Sequence, residues 1–175
     1  MSKISLPSAD ALNATQREIY ERFPSNLVRG LLLAESNAIA YLNLGASFRK
    51  GTLKPFDREL VILRVGGLTR SDYEAMQHKE IALSAGIEQA GVTELLSGGD
   101  CPSFDEQHRA LIGYVDECVR MFRASASSFE RLQAFYTDQE IAQLTLLTGH
   151  YWMTAVFLLN LDIPLDDHPT SWDHI

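Results

Sequence analysis

Along most of the chain, apolar residues recur every three or four positions, the period of an α-helix with one buried face. Leu27, Leu31, Ala34, Ala38, Tyr41 and Leu42 mark such a face from Ser25 to about Phe48. A shorter amphipathic stretch, 10–23, precedes it and stops at Pro24, which cannot continue a helix. The basic turn RKGTLKP at 49–55 interrupts the pattern. Residues 56–68 read two ways. The β-branched run LVILRV would suit a buried strand, but Asp57, Arg58 and Glu59 form a charged first turn and no partner strand is evident elsewhere, so the segment is read as a helix. Gly66 and Gly67 weaken its end or let another helix come close. Further helices are predicted over 72–85 with Gly86 as the stop, then 88–96, 104–122 and 127–136. The last, 139–161, is capped by Thr137 or Asp138. The pattern predicts an all-α chain, one domain over 1–175 with about seven or eight helices. Residues 1–24 would form an N-terminal helical arm and 167–175 a tail.

Composition narrows the partners. The hydrophobic fraction is 46%, enough for a sizeable core, and the net charge is −8 with no Lys/Arg stripe. Phosphate backbones and anionic membrane surfaces would be repelled, so nucleic acid and membrane are set aside. Ile141 to Leu161 lacks Asp, Glu, Lys and Arg and could span a bilayer by length. It also carries Gln143, Thr145, Thr148, His150, Thr154 and Asn160, costly against lipid, and so reads as the central buried helix of a soluble protein. Cys101 and Cys118 form no metal-spaced set, and MSKISLPSADALN has no apolar signal region. Together these predict a cytoplasmic protein.

The candidate chemistry sits in TRSDYEAMQHKEIALSAGI, residues 69–87. Ser71-x-x-Glu74 ahead of an amphipathic run is the pattern of a helix capping box. Glu74 and His78 at i, i+4 also form a compact acid–base pair on the face shared with Ile81, Ala82 and Ala85. A cap does not forbid catalysis, so spacing leaves both readings open.

A longer stretch bears on that choice. FDRELVILRVGGLTRSDYEAMQHKEIALSAGI resembles the carboxymuconolactone decarboxylase family, the group that includes alkylhydroperoxidase D. The match rests on Arg58, Glu59, Leu60, Leu63, Tyr73, Glu74, His78, Ala82, Ala85 and Gly86. FYTDQEIAQLTLLTGHYWMTAVFLLNLDIPL is similar to the closing long helix of the family's longer members, so the likeness spans about residues 25–166. The resemblance implies an alkylhydroperoxidase D-like helical bundle, assembled as a trimer or hexamer, with no cofactor and no metal. Peroxidase members carry C-x-x-C at the positions of Ser71 and Glu74. A hydroxyl and a carboxylate cannot replace the attacking and resolving thiols, which makes a hydroperoxidase the least favoured reading.

The resemblance instead implies a lyase or isomerase of aromatic catabolism, acting on a small carboxylated or lactone metabolite. His78 would be the general acid/base, Glu74 its orienting partner and Glu59 a second carboxylate from the preceding helix. Ser71, Arg70 and Tyr151 are candidate substrate-binding residues, with Arg64 a further cation to weigh. A non-catalytic oligomeric binding or scaffold protein of the same fold is the alternative. Tyr73 reads as a surface or interface residue, His150 as a second titratable group or an interface residue, and His108, His168 and His174 as solvated.

Overall fold

Helix α4 (Pro55–Thr69) is buried on nearly every side and organises the molecule, whose computed structural model describes residues 2–170. Proline at its first position needs no hydrogen-bonded N–H there and presets the helical φ. α4 packs against α5 (Asp72–Ser84), α6 (Gln89–Ser97), α7 (Glu106–Met121) and α9 (Asp138–Asn160). α8 (Ala126–Gln133) lies against α7 and α9. The main core gathers Leu60, Ile62, Leu63 and Val65 of α4 with Leu95, Leu111, Leu132, Leu144 and Leu147. A second core joins α1 (Ala14–Arg22), α2 (Asn26–Leu31) and α3 (Glu35–Ser47) to Tyr73 and Leu158.

Among the described residues there are nine helices and no strand, so 56–68 is helical and the count exceeds the sequence expectation. The additional helix comes from 25–48. A 3-10 turn at Leu32–Ala34 splits it into α2 and α3, and Ala34 leaves helical geometry at φ −112°, ψ 50°. No Gly or Pro marks the break, and the apolar spacing runs across it unchanged. Elsewhere the punctuation holds. Asn13 and Gln16 close a capping box on α1, Thr137 and Glu140 one on α9, and Gly86 ends α5 at φ 98°. No helix among the described residues is long and apolar enough to cross a membrane.

Gly67 explains the paired glycines. A Cβ there would overlap the carbonyl oxygen of Leu95 and lie 2.8 Å from Cα of Leu96, so α4 and α6 touch backbone to backbone. The turn into α5 is equally short: Arg70 caps α4 in the left-handed region at φ 57°, and the Ser71 N–H donates to the Gly66 carbonyl at 2.9 Å. After α9 the chain crosses α2 and α5, where Asp166 accepts bonds from the Asn26 backbone N–H, the Tyr73 hydroxyl and Gln77 Nε2.

Candidate acid–base site

The charged residues of α4 have no access to bulk water, so each must find a partner. Glu59, 0% exposed, faces α5 and meets His78 Nδ1 at 2.8 Å, while its other oxygen accepts from Arg58 Nε at 3.0 Å. Two helices joined by a two-residue turn place these side chains together although they are 19 positions apart. The opposite ring nitrogen, His78 Nε2, lies 3.2 Å from the Tyr151 hydroxyl of α9, and the two rings meet edge-on at 5.2 Å. A carboxylate at Nδ1 fixes the tautomer with the proton on that side, leaving Nε2 to accept from the phenol.

Glu74 is also buried and inward. Its Oε2 is 3.9 Å from His78 Nε2, beyond hydrogen-bonding distance, and its Oε1 has no partner. The expected roles of the two glutamates are therefore exchanged in space. Glu59 makes the orienting bond, because α4 presents it directly to Nδ1, and Glu74 is the second carboxylate. Burial, with the Glu59 charge added and His78 opposing, pushes the Glu74 carboxyl up to about 7. Burial also pushes Glu59 up, but His78 and Arg58 outweigh it and hold the carboxyl below its ordinary value.

Ser71 does cap α5, accepting from the Glu74 N–H at 3.5 Å, but Glu74 makes no return bond to the Ser71 N–H. The cap and the inward carboxylate coexist. Ser71→Ala is expected to cost about 1 kcal/mol, the ordinary value for an N-cap, read as a change in urea midpoint at constant slope.

Glu59, His78 and Tyr151 line a crevice of about 10 Å³, roughly the room of one water, with Arg49, Arg58 and the apolar Phe48, Ile62 and Leu147. Arg70, Ser71 and Glu74 are not among its walls. Arg70 and Ser71 border a separate depression of about 400 Å³ with Leu158 and Pro164, and Glu74 lies behind His78 toward α3. Arg49 and Arg58 are the site residues that sequence reasoning missed. Arg58 was visible beside Glu59, whereas Arg49 sits in a basic turn whose direction only the fold reveals.

Other expectations are corrected. Tyr73 is buried, donating to Asp166 and accepting from the Leu27 N–H at 3.1 Å. Arg64 is buried in a two-pronged pair with Asp116, both contacts 2.6 Å, and is held away from the crevice. His108 is half-buried between carboxylates, Nδ1 at 2.8 Å from Asp105 and Nε2 at 3.4 Å from Asp57, and the Asp57 contact leads in raising its pKa. His168 is exposed and His174 lies outside the described residues. His150 packs against Tyr41 at 4.6 Å and Tyr151 at 5.4 Å with Nδ1 unpartnered, and burial, helped by nearby His78, lowers its pKa to about 4.

Cys101 touches Arg64, and Cys118 stands on α7 beside Tyr114. Burial raises both thiols, the reverse of what an attacking thiolate needs. No three or more His, Cys, Asp or Glu side chains among the described residues could hold a metal ion.

Nine helices around a buried α4, with a Glu–His pair on consecutive helices, make up the alkylhydroperoxidase D-like fold. A peroxidase-related protein from Silicibacter sp. TM1040 superposes with TM-score 0.81 at 14% identity, covering 95% of this chain and 92% of that one. A Ralstonia eutropha JMP134 peroxidase-related protein with an alkylhydroperoxidase AhpD core gives 0.78 at 15%, covering 95% and 93%. A cysteine-to-alanine form of the debrominase Bmp8, in complex with 2,3,4-tribromopyrrole, gives 0.74 at 11%, covering 95% of each chain. No family model matches the sequence, and no curated protein matches it either. At these identities the likeness shows the fold.

Proposed function

We propose that this protein is a cofactor-free acid–base enzyme, a lyase or isomerase acting on a small carboxylated or lactone metabolite. The observation that supports this is the buried line Glu59–His78–Tyr151 opening on a crevice flanked by Arg49 and Arg58. Arg49 and Arg58 meet the substrate carboxylate, the charge-assisted pairing guanidinium favours. In a decarboxylation the bond to the carboxylate breaks, CO2 leaves with its oxygens, and the electron pair remains as a dienolate. Protonated His78 then delivers its proton to carbon, with Glu59 holding the ring and stabilising its charge. Tyr151, kept as a phenol because burial raises its pKa, hydrogen-bonds the enolate oxygen. Glu74 sets the field behind His78 without meeting substrate.

The crevice volume favours a second reading, a non-catalytic binding or scaffold protein whose Glu59–His78 pair only supports the core. One experiment separates them: thermal-shift screening of small lactones and carboxylates, those of aromatic catabolism included, followed by turnover assays on the hits. The enzyme reading expects a hit that is converted, with binding lost in Arg58→Gln and conversion lost, but binding kept, in His78→Gln. A panel without a hit, or conversion surviving in His78→Gln, overturns it.

No thiol-dependent peroxide reduction is expected, since Ser71 and Glu74 occupy the positions of the redox pair. Consumption of an alkyl hydroperoxide with a dithiol donor, abolished by Cys101→Ser or Cys118→Ser, would contradict this.

A further inference from the structure

α9 has two apolar faces, and the α4 core covers one of them. Thr145, Leu146, Gly149, Trp152, Met153, Val156 and Leu159 all face outward, recurring every three or four residues. Leu146 is 60% exposed. Such a stripe is the seam on which a second helix packs, and a helix apolar on all sides is normally covered on all sides. α9 carries no charged side chain from Ile141 onward, and α3 beside it carries none from Ser36 to Ser47.

Gly149 sharpens the point. A glycine inside a long helix costs about 0.5–1 kcal/mol relative to alanine. A Cβ placed there meets nothing within 4 Å, so nothing in the chain's own packing requires this glycine. A crossing backbone does. Phe122 points the same way: it ends α7 in the left-handed region at φ 58°, unusual for a bulky residue, and is 75% exposed with its ring edge-on to Trp152 at 5.6 Å.

We infer that this face binds a second copy of the chain, two α9 helices crossing about a two-fold axis near Gly149. The charge pattern selects the occupant. A copy carries the same net charge of −8 and is repelled over most of the surface, while this face offers it no like charge. A foreign partner would normally be picked by complementary charges, and the face has none to offer. The exposed part of α9, extended by α3 and Phe122, has a projected footprint of roughly 500 Å². On a corrugated surface that approaches the ~800 Å² per partner of a standard interface. A two-fold places the same patch on both copies, as a self-complementary stripe requires. The copy also roofs the groove of about 410 Å³ between α3 and α9, whose wall includes Tyr41, the ring that packs on His150. This inference is independent of the catalytic reading.

Sedimentation velocity on the full chain at micromolar concentration tests it. The native protein is expected as two copies of 19.6 kDa or an even multiple. Met153→Glu combined with Val156→Glu, both on exposed side chains, should halve that mass with the far-ultraviolet spectrum unchanged. Under mild oxidation Gly149→Cys should give a cross-linked pair, while Gly113→Cys, at an equally open position on α7, should not. A native monomer, an odd-numbered assembly, or an unchanged mass in the double variant overturns the seam. So does a monomer whose α9 face instead takes up detergent or an apolar dye.

Discussion

At pH 8 the Glu74→Gln variant is expected to be more stable than the native chain by up to about 3 kcal/mol. Near pH 4.5 the two should be indistinguishable. The Glu74 carboxyl is raised from 4.5 to about 7 in the fold, so the folded state holds a proton that the unfolded chain releases between those values. Its contribution is complete below about pH 4.5 and is lost as pH rises through 7, at about 1.4 kcal/mol per pH unit across the window. Glutamine mimics the protonated acid at every pH and removes the loss. His150 works in the opposite sense. Lowered from 6.5 to about 4, it resists a proton that the unfolded chain accepts, so its contribution is present above 6.5 and is lost as pH falls toward 4. Between about pH 4.5 and 6.5 the two groups offset one another, and the native profile should be nearly flat there. Glu74→Gln should uncover the His150 slope, with stability falling steadily on acidification. Urea melts at four or five pH values check both outcomes, and parallel profiles for the two proteins would show that Glu74 is not protonated in the fold.

Gly67→Ala is expected to cost about 3 kcal/mol or more, at the upper end of overpacking penalties. Most oversized side chains are accommodated when a neighbouring side chain swings aside. Here the obstacle is the Leu95 carbonyl and the Leu96 backbone, so α6 must move as a unit. Leu95 is fully buried and would be carried out of the main core with it. Gly66→Ala is the control. Its added methyl meets the Glu74 Cβ at 3.2 Å, a contact that a few tenths of an ångström relieve, so the cost should be well below that at Gly67. Equal costs at the two positions would count against a backbone-on-backbone contact.

Local features of this chain were legible in its sequence, and contacts closed over long separations were not. Helical spacing, the caps at Ser71 and Thr137 and the stop at Gly86 are written in neighbouring residues. The Glu59–His78 pairing was within reach of sequence reasoning because a tight turn joins their helices. The break at Leu32–Ala34 left no mark, since apolar spacing passes through it. Arg64 and Tyr73 were misplaced because Asp116 and Asp166, which draw them inward, lie 52 and 93 positions away. Which glutamate binds His78 depends on how α4 is rotated against α5. Both carboxylates satisfy the spacing equally well, and only the packing chooses Glu59.

The contacts of α4 carry a kinetic consequence. Three of its partners, α5, α6 and α7, follow it directly in the chain, and pairings this local close early during folding. Glu59 and His78 are separated by 19 residues, whereas His78 and Tyr151 are separated by 73, a loop whose closure costs about 1 kcal/mol more entropy. The carboxylate and the imidazole can therefore meet while still hydrated, and α9 arrives afterwards to seal them with Tyr151. Neither charge has to shed its water before its partner is in place. Substitutions across the α4–α5 contact should slow refolding, and those on the inner face of α9 should chiefly speed unfolding.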